Sequence, residues 1–343
     1  MSLVHSNKIA SLELGRLIAM FAIIFLHSQS LNHPNASDAV IWTGYALNQL
    51  SRFAVPFFFL LSGFLIQPKL SHDPFTTLKN YSLPLIQVWL VWSVICLLIP
   101  FNWHAFLTDG YIAERSGYWE WLLQNPLNTF FEGGLVHLWF IPGLLCAVAI
   151  IAVGVRFNWT RGLILIAGGL YVFGVLAGSY REVTGIEFPI FTRNGPFFST
   201  LMVLIGFEIR RLNLTMNIQS AIIVALVGLS LHMGEAEILT AYGTPFNTHD
   251  FLAGTPIWAT GLFFILLANP DWGRREWVMS LSKLVLGIYV AHLPIQILVD
   301  NLVRFAGLEA FTRDFVLVSG TLICSVLFVW SLSKTPLKKV LFR

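Results

Sequence analysis

The sequence predicts an all-α polytopic membrane protein of about ten transmembrane helices, with both termini cytoplasmic. Three observations carry this. Of 343 residues, 56% are hydrophobic and only 11% charged, with a mean hydropathy of +0.72, whereas soluble domains carry roughly a quarter charged residues. Apolar runs long enough to cross a hydrocarbon core of about 30 Å, roughly 20 residues each, recur along the whole chain. The basic residues between those runs fall mostly on alternate sides, as the positive-inside rule requires.

The first span covers about 12–31 and has no small-x-small cleavage site after it, so it reads as a retained helix. The second and third follow at about 46–67 and 81–100, then a longer polar and aromatic stretch over 101–134. Spans four to seven lie at about 135–155, 161–178, 195–210 and 215–232, and the last three at about 252–268, 283–304 and 314–333. No linker, low-complexity run or internal repeat divides the chain, which reads as one membrane domain over 1–343. With the termini inside, fourteen of the 21 basic residues are cytoplasmic: Lys8, Lys69, Lys79, Arg156, Arg161, Arg210, Arg211, Arg274, Arg275, Lys283, Lys334, Lys338, Lys339 and Arg343. Arg52, Arg115, Arg181, Arg193, Arg304 and Arg313 lie outside, and Arg16 lies within the first span. One helix more or fewer scrambles this partition, so the charge bias supports the count together with the orientation. The outer 101–134 stretch holds Trp103, Tyr111, Tyr118, Trp119 and Trp121 with Asp109, Glu114 and Glu120, a composition that suits an interfacial aromatic belt or rings that stack on sugars.

The formal charge of +3 is scattered between apolar segments, which excludes a nucleic-acid surface. Cys96, Cys146 and Cys324 all sit in apolar runs without metal or disulfide spacing, so no metal is expected. No phosphate-binding loop, nucleophile elbow or HExxH element occurs. Ionisable residues inside the bilayer are costly and therefore mark function. In the first span Arg16 and His27 are eleven residues apart, which at about 100° per residue places them within some 20° on one face and roughly 16 Å apart along the axis. One helix can thus line a path across the membrane, with Arg16 near the cytoplasmic end and Glu13 one turn before it to hold the guanidinium. Tyr289 and His292 share a helix face, and Ser62-Gly63 provides small residues for close helix contact. His232 reads as a helix-end residue.

Arg16 and His27 match the arginine, ten residues, histidine signature of the acyltransferase-3 family of membrane O-acyltransferases. Asn48 through Phe64, ending in Ser62-Gly63-Phe64, resembles that family's second helix. His137-Leu138-Trp139-Phe140, Arg193-Asn194-Gly195 and Leu286 through His292 resemble later elements in the expected order. In length and in the Ser51 to Phe64 segment the chain most resembles the enterobacterial common antigen O-acetyltransferase branch. The resemblance implies a bacterial inner-membrane enzyme that transfers an acyl group, usually acetyl, from acyl-CoA to a hydroxyl of a cell-envelope polysaccharide or lipid-linked sugar, without a permanently bound cofactor. His27 is then the candidate base or acyl carrier, since a neutral imidazole with pKa near 6.5 can take the hydroxyl proton. Arg16, with its planar donors, is the candidate for the CoA phosphate end or the thioester oxygen. Arg52 and Arg193 are expected to orient an anionic sugar or lipid diphosphate, and His137, Trp139, Tyr289 and His292 to shape the acceptor pocket, with Glu13 and Ser62 supporting. The basic stretch many members carry before the third helix is reduced here to Lys79, ahead of Leu83-Pro84, and Lys79 is with Arg16 the candidate for contacting acyl-CoA. The hydrolase-like domain fused to some members is not expected. A transporter or flippase for a small solute or lipid-linked sugar is the alternative from another class, using Arg16 and His27 as a relay.

Overall fold

The computed structural model describes residues 9–33 and 36–342; the basic residues Lys8 and Arg343 lie outside these. Among the described residues the secondary structure is helical throughout, with no strand. In lipid every backbone polar group must be satisfied within its own segment, and contiguous apolar runs therefore close into helices.

Helix α1 spans Ala10–Ser28 and stops where Gln29 adopts a left-handed conformation. Helices α2 (Asp38–Ser51) and α3 (Ala54–His72) form one long apolar element that breaks at Arg52 and Phe53. Helix α4 (Pro74–Leu98) starts earlier than hydropathy indicates, because the Asp73 carboxylate accepts from Thr76 N at 3.2 Å and Pro74 occupies the first helical position. The outer stretch folds into α5 (Trp103–Asp109), α6 (Tyr111–Gln124) and α7 (Pro126–Glu132). A short 3₁₀ turn, Val136–Trp139, leads into α8 (Phe140–Arg156), followed by α9 (Thr160–Leu176), α10 (Arg181–Thr184) and α11 (Pro196–Arg211). The remaining elements are α12 (Ile218–Thr240), α13 (Gly254–Ala268), α14 (Glu276–Leu281), α15 (Val285–Phe305), α16 (Ala310–Leu332) and α17 (Lys338–Leu341).

All ten expected spans fall on helices, and among the described residues seven helical segments are long and apolar enough to cross a membrane alone. The other three, α9, α11 and α13, have 17, 16 and 15 residues. Helix α11 carries Glu208, Arg210 and Arg211 in its last turn, and nine of its residues are buried against neighbouring helices, so little of it meets lipid. Its closest partner is α3. A Cβ on Gly63 would strike the Val203 carbonyl and one on Gly206 the Leu60 carbonyl, so these two backbones touch. Packing of this kind replaces the hydrophobic drive that lipid cannot supply.

The seventh span extends to Thr240, and His232 is not a helix-end residue. It is fully buried within α12, where its Nδ1 meets Thr255 Oγ1 and its Nε2 meets Gln49 Oε1, both at 2.9 Å. Polar residues continue this helix past the apolar run because tertiary partners take up their hydrogen bonds. Glu235, one turn further, accepts from Tyr180 Oη at 2.7 Å and from Gly254 N at 2.8 Å.

The aromatic residues of 101–134 serve largely the protein itself. Arg115 is fully buried, with its guanidinium 4.1 Å from the Phe101 ring centre and 4.9 Å from that of Tyr118. Tyr111 Oη and Trp119 Nε1 donate to the Leu98 and Leu97 carbonyls and so satisfy the last turn of α4. Trp121, stacked on Tyr118, remains 41% exposed.

Ser11 at the start of α1 donates to the carbonyls of Leu266 in the last turn of α13 and of Pro270 just beyond it. The residues around positions 52, 132, 193 and 250 meet at the opposite end. Ten alternating crossings require this grouping.

Candidate functional site

Two candidate residues come from one helix. Arg16 Nη1 bonds Glu13 Oε2 at 2.8 Å, the one-turn pair its spacing predicts, and the guanidinium lines a cavity of about 360 Å³. Ser62, Lys69 and Tyr81 line the same cavity, and Ser62 Oγ is turned back to the Phe58 carbonyl at 2.7 Å. Lys79 is exposed on α4 and is not among the lining residues; Lys69 supplies the second cation there.

His27 lies half-buried further along α1, where it lines two more cavities, of about 200 and 350 Å³. Ile23, Val55, Phe140 and Tyr289 border both the Arg16 cavity and the smaller His27 cavity and form a neck between them. His27, Leu26, Arg52, Arg193 and Asp250 border both outer cavities. A chain of three cavities therefore runs from Arg16 past His27 to the opposite end.

Three histidines meet beside this path. The His27 and His292 ring centres are 5.3 Å apart, and those of His292 and His137 are 5.1 Å apart and nearly perpendicular. His137 comes from the 3₁₀ turn before α8, where its Nε2 meets the Val290 carbonyl at 3.0 Å. The His292 Nδ1 meets the Tyr289 carbonyl one turn back at 2.5 Å. A carbonyl only accepts, so each of these nitrogens carries the proton in the neutral ring, and His137 Nδ1 and His292 Nε2 are left as bare acceptors. Both bare nitrogens are buried without a partner. Tyr289 Oη donates to the His137 carbonyl and ties the turn to α15. Trp139 lies between Phe59 and Phe198 and borders the smaller His27 cavity.

At the outer end, Arg52 Nη1 bonds Asp250 Oδ1 at 2.5 Å, and Arg193 Nη1 bonds Asp250 Oδ2 at 2.9 Å. Arg193 Nη2 reaches Glu132 Oε1 at 2.8 Å, and Asn194 Nδ2 donates to the same oxygen at 3.2 Å. The break between α2 and α3 puts Arg52 here, and the turn before α11 supplies Arg193. Burial works against ionisation of Asp250, but the charges and hydrogen bonds of Arg193 and Arg52 outweigh it and hold the carboxyl below its usual range. Burial, reinforced by the nearby Arg52 charge, pushes His249 down to about 4, leaving it neutral at pH 7.

The structure thus brings His27, His137, Trp139, Tyr289 and His292 together, sets Arg52 and Arg193 above them, and keeps Arg16 at the other end of the path. Sequence reasoning missed Asp250, Glu132, Gln49 and Lys69. Asp250 lies in a loop and Glu132 ends the short outer helix α7, both places where charge is ordinary, and nothing local marks them as partners of distant arginines.

Three curated relatives are similar to this chain. An amino-acid racemase of Enterococcus faecalis is 26% identical over 215 residues, 59% of this chain and 28% of its own length. The serine/alanine racemase of Enterococcus gallinarum is 23% identical over 330 residues, 88% of this chain and 44% of its own. A further Enterococcus faecalis amino-acid racemase is 22% identical over 338 residues, 93% and 45%. The chain spans less than half the length of these relatives. No solved structure matches it. The acyltransferase domain family matches residues 9–330, nearly the whole cavity-bearing helical body, and the chain belongs to that family.

Proposed function

We propose that this protein transfers an acyl group, acetyl in the simplest case, from acyl-CoA to a hydroxyl of a cell-envelope sugar. The carrying observation is the position of His27, at the junction between a cavity lined by Arg16 and Lys69 and a polar cavity opening at the opposite end. Arg16 and Lys69 suit the phosphates of CoA on the cytoplasmic side. The roughly 16 Å rise from Arg16 to His27 is then bridged by the flexible pantetheine arm rather than by direct contact. The thioester comes to rest beside His27 with the sugar hydroxyl on its other side.

In direct transfer His27 takes the hydroxyl proton as the oxygen attacks the thioester carbonyl. The tetrahedral intermediate collapses, the new ester C–O bond stays, the C–S bond breaks, and the imidazolium returns its proton to the CoA thiolate. The bare nitrogens of His137 and His292 lie within the same cluster and can accept a hydrogen bond there. In a two-step route His27 itself receives the acyl group and hands it to the sugar. Labelled protein trapped with acyl-CoA before acceptor is added identifies that route, and its absence at short times identifies direct transfer.

The likeness of Ser51 through Phe64 to one branch supports a polysaccharide such as enterobacterial common antigen as the acceptor, in a bacterial inner membrane. The racemase activity in the relatives' names stays theirs, because the match covers less than half of each. The test is mass spectrometry of envelope polysaccharides from cells with the gene, without it, and without it but complemented by His27→Ala. Gene-dependent ester groups that the variant fails to restore support the reading. Normal esterification by His27→Ala sinks His27 as the reacting group, and unchanged esterification in all three strains favours transport along the same path.

A further inference from the structure

Two arginines beside an acceptor cavity suggest an anionic ligand, yet here both terminal nitrogens of each guanidinium are already occupied, and each Nε is buried without a partner. Arg52 spends Nη1 on Asp250 and Nη2 on the Asn247 carbonyl at 3.1 Å. Arg193 spends Nη1 on Asp250 and Nη2 on Glu132. Asp250 in turn gives one oxygen to each arginine. The cluster holds two cations and two carboxylates and carries no net charge, and the neutral His249 beside it adds none. An anion entering this cavity meets no excess positive charge and must strip a carboxylate from its partner, at the cost of a desolvated charge left unpaired.

The rest of the outer cavity is polar and uncharged: beyond His27 it presents Gln29, Ser30, Asn32 and Asn48, and Asn48 Oδ1 is buried without a partner. Its volume, about 350 Å³, lies at the small end of the usual range for ligand pockets, about 300–1,000 Å³. Such a lining meets hydroxyl and amide groups with donors and acceptors and asks for no formal charge.

We infer that the acceptor held in the outer cavity is a neutral sugar, and that Asp250 sets this selectivity by balancing Arg52 and Arg193. The inference rests on the acyl-transfer reading and deepens it by naming the acceptor's charge class. Replacing Asp250 with asparagine exposes two arginines to a single remaining carboxylate, so the same cavity then favours anions.

The experiment uses the full chain in cells. Envelope glycans are digested, and the residue carrying the gene-dependent acyl group is identified by tandem mass spectrometry for the wild type, Asp250→Asn and Asp250→Glu. The wild type is expected to acylate a residue without carboxylate or phosphate, and Asp250→Glu to keep that preference. Asp250→Asn is expected to lower the ratio of neutral to anionic acylated residues by roughly tenfold or more. Acylation of a uronic acid or phosphorylated sugar by the wild type overturns the inference and leaves the acyltransferase reading standing. No gene-dependent acylation of any residue overturns both. An immunoblot of membranes reports whether Asp250→Asn accumulates; if it does not, the identity of the wild-type acceptor decides alone.

Discussion

His27 and Arg16 share a helix face, yet the cavities give them different chemical surroundings. His27 stands among imidazoles with bare nitrogens, and Arg16 stands beside Lys69 where an anionic donor can approach. Their substitutions should therefore separate kinetically. His27→Ala is expected to lower kcat by about 10²–10⁴ with little change in KM for acyl-CoA, the loss typical of a missing general base. Arg16→Ala is expected to raise KM for acyl-CoA more than it lowers kcat, because it removes a contact made equally in ground and transition states. Steady-state kinetics on the purified protein in detergent or nanodiscs measures both. Arg16 and His27 were legible in the sequence because one helix fixes their mutual geometry. Asp250 was not, since its partners Arg52 and Arg193 lie 198 and 57 residues away.

At the scale of elements, hydropathy located the ten helices but placed their ends by apolar content alone. Helix α12 runs on because Thr255, Gln49 and Tyr180 partner its buried polar residues, and α4 starts early because Asp73 caps it. The Ser62-Gly63 pair marked close contact, and the contact is with α11, whose Gly206 meets α3 in return. Gly63→Ala is expected to push the two helices apart and cost roughly 1–3 kcal/mol, the usual penalty for overpacking a filled interface. A lowered unfolding temperature in detergent, with Gly168→Ala as a control where an added Cβ meets open space, checks this. The stretch over 101–134 was legible as aromatic and external, but its rings turned out to enclose Arg115 and cap α4, because buried donors take the nearest unpaired carbonyls.

For the whole molecule, the neck of Ile23, Val55, Phe140 and Tyr289 lies between the Arg16 cavity and His27, and in the proposed reaction the acyl group occupies it. Phe140→Ala is expected to raise kcat/KM for butyryl-CoA relative to acetyl-CoA, by roughly tenfold or more on the scale of one or two methylenes in an apolar pocket. An unchanged ratio across an acyl-CoA series removes the neck from acyl selection. The sequence by itself determined that the chain is membrane-embedded and helical, where its crossings lie, and that Arg16 and His27 share a path. These properties are local: lipid forces each segment to satisfy its own backbone, and 3.6 residues per turn fix what one helix presents. Only the tertiary structure decided that His27, His137 and His292 meet, that Lys69 rather than Lys79 lines the Arg16 cavity, and that Arg52 and Arg193 are paired with Asp250 and Glu132. Those facts depend on how segments distant in the chain pack together, and no local pattern of residues encodes the partner a buried charge will find.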